Sequence, residues 1–173
     1  MRWTMKLIGT ASTIAVIAAA VTVYGGGSAA QGAGDRTITL FQDGHGGTSQ
    51  FIDNRPRSPI ANPDSPRARL SMGDQLYFTS KVLDHQGGRR IGRLFGAESV
   101  LSGTRFPHIE NIVHAVFKLT DGQIVVDGVV NEADQRNVQA SVVGGTGSYE
   151  GARGTFSITP GRGGNQISIS LVP

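Results

Sequence analysis

Val142-Val143-Gly144-Gly145-Thr146-Gly147-Ser148-Tyr149-Glu150-Gly151-Ala152-Arg153-Gly154-Thr155-Phe156 is the stretch on which the fold turns. Its glycines admit two readings. Gly145-Thr146-Gly147 with Gly151 has the look of a dinucleotide-binding loop, in which glycines let a pyrophosphate approach a helix N-terminus. That chemistry needs a strand before the loop and a helix after it. Arg153 to Ile158 carries β-branched and aromatic residues with no helical period, and no βαβ pattern surrounds the block. The stretch therefore reads as a tight strand-to-strand connection whose glycines permit positive φ.

Outward from this block the period is two, and no stretch of ten or more residues shows a 3.6 period. Eight segments read as strands: Thr37 to Gln42, Gln75 to Asp84, Arg89 to Leu101, Asn111 to Leu119, Gln123 to Val130, Asn137 to Val143, Ala152 to Ile158 and Asn165 to Val172. In the second, Leu76, Phe78 and Val82 alternate with Tyr77, Thr79 and Lys81. In the last, Ile167, Ile169 and Leu171 alternate with Gln166, Ser168 and Ser170. Asp84-His85-Gln86-Gly87-Gly88 reverses the chain between the second and third strands, and Thr120-Asp121-Gly122 is a hairpin signature. The segment Thr48 to Arg69 holds Pro56, Pro59, Pro63 and Pro66; prolines supply no ladder donors, so it is expected to be a long surface loop over one mouth of the domain.

Short, regular strands in a chain of this size predict an all-β closed barrel or a sandwich. Eight strands enclose a space that side chains fill or that holds one small ligand.

The N-terminus reads differently. Arg2 and Lys6 precede an apolar run from Leu7 to Tyr24, and Gly25-Gly26-Gly27-Ser28-Ala29-Ala30 supplies small residues for cleavage after Ala30. That is the pattern of an export signal. The run is a little long for a signal and a little short for a spanning helix, so an uncleaved membrane anchor is the alternative. The expected organisation is a signal peptide over 1–30, a linker over 31–36 and one barrel domain over 37–173, secreted once the leader is removed.

Of the 16 Lys and Arg residues, the two in the leader drop out, and the remaining 14 face 13 acidic side chains. The arginines are scattered, which leaves no footprint for nucleic acid. With no cysteine, disulfides, thiolate chemistry and lipidation at a cysteine are excluded. No metal-ligand spacing and no nucleophile elbow occurs, and no cofactor is expected.

The block Val142 to Phe156 closely resembles a stretch of the dirigent proteins, where a Val-Val-Gly-Gly-Thr-Gly loop leads into an Ala-Arg-Gly strand, and allene oxide cyclases have a similar loop. Gly73-Asp74 before LYFTSKVLD, and Arg90-Ile91-Gly92-Arg93-Leu94-Phe95-Gly96, look like the second and third strands of the same superfamily. The resemblance covers about Thr37 to Leu171. It implies an eight-stranded antiparallel β-barrel that forms homodimers or homotrimers and takes a small hydrophobic ligand.

The resemblance also points to residues. Glu98 falls where dirigents place a cavity tyrosine and plant cyclases a cavity cysteine; a carboxylate there is a candidate general acid or base. Asp43 matches an aspartate of the dirigent pocket, and Arg153 the arginine of the Ala-Arg-Gly segment. An acid and an arginine in a dry pocket would polarise a carbonyl or a quinone methide. Apart from the resemblance, His114 on the fourth strand and Tyr77 on the second are further candidates, for substrate contact. Leu40 stands where allene oxide cyclases carry their first-strand glutamate, so a jasmonate-type substrate is not implied. Three functions follow: cofactor-free cyclisation or stereoselective coupling, carriage of a lipid or secondary metabolite without chemistry, or a structural role at the envelope with a filled barrel.

Overall fold

The computed structural model describes residues 36–54, 70–105, 108–131 and 138–173. The leader, almost all of the linker and the proline-bearing part of the 48–69 segment lie outside the described residues. Nine strands run in chain order: β1 Arg36–Asp43, β2 Thr48–Ile52, β3 Gln75–Leu83, β4 Arg90–Arg105, β5 His108–Leu119, β6 Gly122–Asn131, β7 Val138–Gly147, β8 Arg153–Gly161 and β9 Gly164–Val172.

Neighbours pair antiparallel in the order β1-β9-β8-β7-β6-β5-β4-β3-β2, and a further pairing of β1 with β3 closes the ring. The fold is thus an eight-stranded antiparallel barrel with one additional strand, β2, on the outer edge of β3. The closing seam is short: Phe41 faces Leu83 and Gln42 faces Val82. Beyond it β3 pairs with β2 instead, from Thr48 opposite Thr79 to Ile52 opposite Gln75.

The eight strands expected from alternation are all present, and β2 is the difference. Its residues belong to the segment read as loop, but the prolines begin only at Pro56, and Thr48-Ser49-Gln50-Phe51-Ile52 has the donors and alternation that an edge strand needs. The glycine block differs in detail too. Gly144 to Gly147 are the last residues of β7, paired with β6 as far as Gly147 opposite Gly122, with a bulge at Val125/Val126. The reversal itself is Ser148 to Ala152, closed by hydrogen bonds from Tyr149 N to Thr146 O (3.2 Å) and from Ala152 N to Tyr149 O (3.0 Å). Gly147 and Gly151 bracket it at φ 65° and 73°, where a side chain would be strained. No helix follows Gly147.

Leu40, Val82, Leu119, Ile124, Ile167, Ile169 and Tyr149 belong to one buried cluster, with Tyr149 at the β7–β8 turn beside the β5–β6 turn. The Tyr149 hydroxyl donates to Asp121 Oδ2 at 3.1 Å, and Ser148 N donates to Asp121 O at 2.9 Å, so the two turns are tied together. The Phe117 and Phe156 rings meet at 5.7 Å, tilted by 47°, and belong both to that cluster and to the wall of a cavity.

Candidate functional site

Beside those two rings the barrel is hollow. A cavity of about 520 Å³ is lined by inward residues of all eight strands of the ring, among them Phe78, Leu94, Val113, Ala115, Phe117, Val126, Ala140, Phe156 and Ile158, and by the Gly44–Thr48 turn and Pro160 toward its mouth. The volume falls within the range of small-molecule sites, and the wall is apolar as such sites are.

Strand register decides which side chains reach it. On β4, Leu94, Gly96 and Glu98 share the inward parity, opposite Phe117, Ala115 and Val113 of β5. Glu98 is half-buried and is the carboxylate among the described lining residues. Asp43 ends β1 beside the mouth. Its Oδ1 accepts from His45 N at 2.9 Å and its Oδ2 lies 3.9 Å from Lys81 Nζ, so it shapes the Gly44–Gly47 turn that lines the cavity without lining it itself.

The other three candidates lie elsewhere. Arg153 pairs with Val172 at the start of β8 and is exposed, one residue out of phase with the inward Gly154, Phe156 and Ile158. Tyr77, 42% exposed, faces outward between the inward Leu76 and Phe78, and its hydroxyl donates to Gln75 Oε1 at 3.0 Å. His114 is exposed on the outer face of β5, with Nδ1 2.5 Å from Asp127 Oδ1 on the neighbouring strand. The structure therefore brings Glu98 into the cavity and Asp43 to its rim, and it sets Arg153, Tyr77 and His114 outside. A one-residue change of phase moves a strand residue to the opposite face, which is why neither the family position of Arg153 nor the strand membership of Tyr77 and His114 sufficed.

Gln42, Ser80 and Asn165, polar residues that line the cavity, were not singled out in the sequence reading. Asn165 Nδ2 donates to Gln42 Oε1 at 3.0 Å, and Gln42 Nε2 donates to Ser80 Oγ at 3.1 Å. They form a chain across β9, β1 and β3, spanning the closing seam. The signal was there to find. Ser80 interrupts the apolar series Leu76, Phe78, Val82, and Asn165 precedes Ile167, Ile169, Leu171 in the same phase. Among the described residues no group of three or more His, Asp or Glu converges as a metal site would require.

Gly73-Asp74, part of the motif seen in the sequence, is structural. Asp74 is 1% exposed and accepts from Ser71 N at 2.8 Å and Asn54 N at 2.8 Å. Its own carbonyl accepts from Val100 N at 2.9 Å. It ties the approach to β3 to the end of β2 and to β4.

No curated protein matches the chain by sequence. Among solved structures, a pyocyanin demethylase aligns with a TM-score of 0.60 at 16% identity, over 79% of this chain and 100% of that one. A pterocarpan synthase dirigent protein aligns at 0.52 and 14%, over 80% and 93%. A Diels–Alderase from Streptomyces koyangensis aligns at 0.52 and 16%, over 83% and 72%. Similarity at this level of identity is a statement about the barrel. The sequence itself is more specific: residues 58–171 match the allene oxide cyclase barrel like domain, and the chain belongs to that family.

Proposed function

We propose that the barrel binds a small, largely apolar molecule in its cavity and steers a cofactor-free cyclisation or stereoselective coupling on it. The observation that carries this reading is the cavity, in which a largely apolar wall of described residues surrounds the carboxylate of Glu98. A cavity of that kind holds a flexible reactive chain in one conformer, so that conformational entropy is lost on binding rather than in the transition state. Glu98 would move a proton to or from the reacting group. The dirigent protein and Diels–Alderase that share the fold support the reaction class.

The hollow also speaks against a barrel filled for structural purposes. Carriage without chemistry is the second reading, favoured by the predominance of apolar wall over polar groups. The two are separated with a linear probe bearing a conjugated diene and an activated alkene. Steering predicts one stereoisomer in excess; on a second probe whose ring closure requires a proton transfer, Glu98→Gln should slow the reaction at least tenfold while retaining probe binding. Probe binding with racemic product at the uncatalysed rate leaves only the carrier.

The same reading extends to export, with the leader removed after Ala30, and to a homodimer or homotrimer. Apolar residues on the outer faces of β4, β5 and β6 support association: Phe95, Ile112 and Val129 are 41%, 47% and 56% exposed, and Ile112 and Val129 are cross-strand partners. N-terminal sequencing of the protein from culture medium tests the first point. A start at Met1 in a membrane fraction would overturn it.

A further inference from the structure

The hydrogen-bonded chain Asn165–Gln42–Ser80 has a direction. Asn165 donates to the Gln42 carbonyl oxygen and Gln42 donates to the Ser80 hydroxyl oxygen. A hydroxyl that accepts from an amide keeps its own proton for another acceptor, and a chain of such bonds polarises its terminal donor. Ser80 is the terminus, and all three side chains line the cavity.

We propose that Ser80 is the donor that recognises a carbonyl oxygen of the ligand, and that Gln42 and Asn165 are positioning residues that set its polarity. This rests on the reading of the cavity as a ligand site and names the ligand class: an apolar molecule carrying a ketone, ester or similar acceptor. The carbonyl lies far from the carboxylate. Leu76 is the register partner of Glu98, and Ser80 lies four positions further along β3, about 13 Å at the usual rise of a strand. A ligand held by both groups is therefore elongated, with its acceptor at Ser80 and a donor or transferable proton at Glu98. Two anchors that far apart constrain how a flexible chain between them folds, which is what control of a ring closure requires.

The chain of bonds also crosses the seam at which β1 meets β3, so a purely structural role must be told apart from recognition. The full-length protein is titrated calorimetrically with 2-acetylnaphthalene, 2-ethylnaphthalene and 1-(2-naphthyl)ethanol. The wild type is expected to prefer the ketone to the hydrocarbon about fivefold to tenfold, the usual range for one net hydrogen bond. Ser80→Ala, a small change that leaves the packing intact, should abolish the preference without weakening the hydrocarbon. Asn165→Asp replaces the terminal donor by an acceptor, reverses the chain, directs the Ser80 proton toward Gln42, and should invert the preference toward the alcohol. A structural role alone changes all three affinities together. A ketone preference that survives Ser80→Ala overturns the inference, as does hydrocarbon and ketone binding with equal affinity in the wild type. Failure of all three probes to bind overturns the ligand-site reading along with it.

Discussion

Gly96 and Phe78 are register partners on β4 and β3, and the Phe78 ring occupies the space that a side chain at position 96 would need. The ring thereby lies against the barrel wall and leaves the cavity open beside it. An aromatic side chain covering a cross-strand glycine is a known way to keep a sheet both curved and packed.

Gly96→Ala should therefore drive Phe78 inward. Overpacking of this kind costs about 1–3 kcal/mol, and affinity for 2-acetylnaphthalene should fall at least tenfold as the ring takes the ligand's place. Adding Phe78→Leu to Gly96→Ala should restore binding. Calorimetry on the single and double variants checks both; a single variant with wild-type affinity would show that the ring does not border the ligand.

Asp74→Ala should destabilise the fold by about 2–4 kcal/mol, because a buried carboxylate is lost and backbone donors of Ser71 and Asn54 lose their acceptor. Denaturant titration measures this. A midpoint within error of wild type would mean the carboxylate does not hold the β2–β3 approach to β4.

Burial and the hydrogen bond to Asp121 push the Tyr149 hydroxyl up from 10.0 to about 12. The neutral phenol is favoured in the folded state, so the stability it contributes is complete below pH 10 and disappears as pH rises through about 12. The denaturation midpoint should fall across that window in the wild type, and Tyr149→Phe should lack this component. Parallel pH curves for the two proteins would count against it.

Arg153→Leu, Tyr77→Phe and His114→Gln should each leave affinity for 2-acetylnaphthalene within about twofold of wild type, since surface substitutions away from a site have small effects. A larger loss in any one would place that side chain at the ligand in solution.

Ile112→Glu puts a charge among the exposed apolar residues of β5 and should convert an oligomer to a monomer in light scattering, with the ketone still bound. A wild type that is monomeric at micromolar concentration would remove the proposed association.

Much of the architecture was legible in the residues themselves. Alternation marked every strand of the ring, because each must present one face to an interior and the other to water. The dinucleotide reading of the glycine block failed on local grounds, since Arg153 to Ile158 lacks a helical period. Glu98 was found through its place in a motif, and the inward parity it shares with Leu94 put it in the cavity.

What the chain alone could not decide is what the closed ring brings together. Ser80 lies 38 residues from Gln42, and Asn165 lies 123 residues from it; they meet only because β1 joins β9 to β3. Nor does alternation say which part of the interior is packed and which is hollow. That depends on the stagger of the strands, on Tyr149 being buried in the core cluster and on Phe78 lying over Gly96. Local sequence determines which side of a strand is dry. Which dry positions surround an empty space is settled by the tertiary arrangement, because a cavity belongs to several strands at once and to none of them singly.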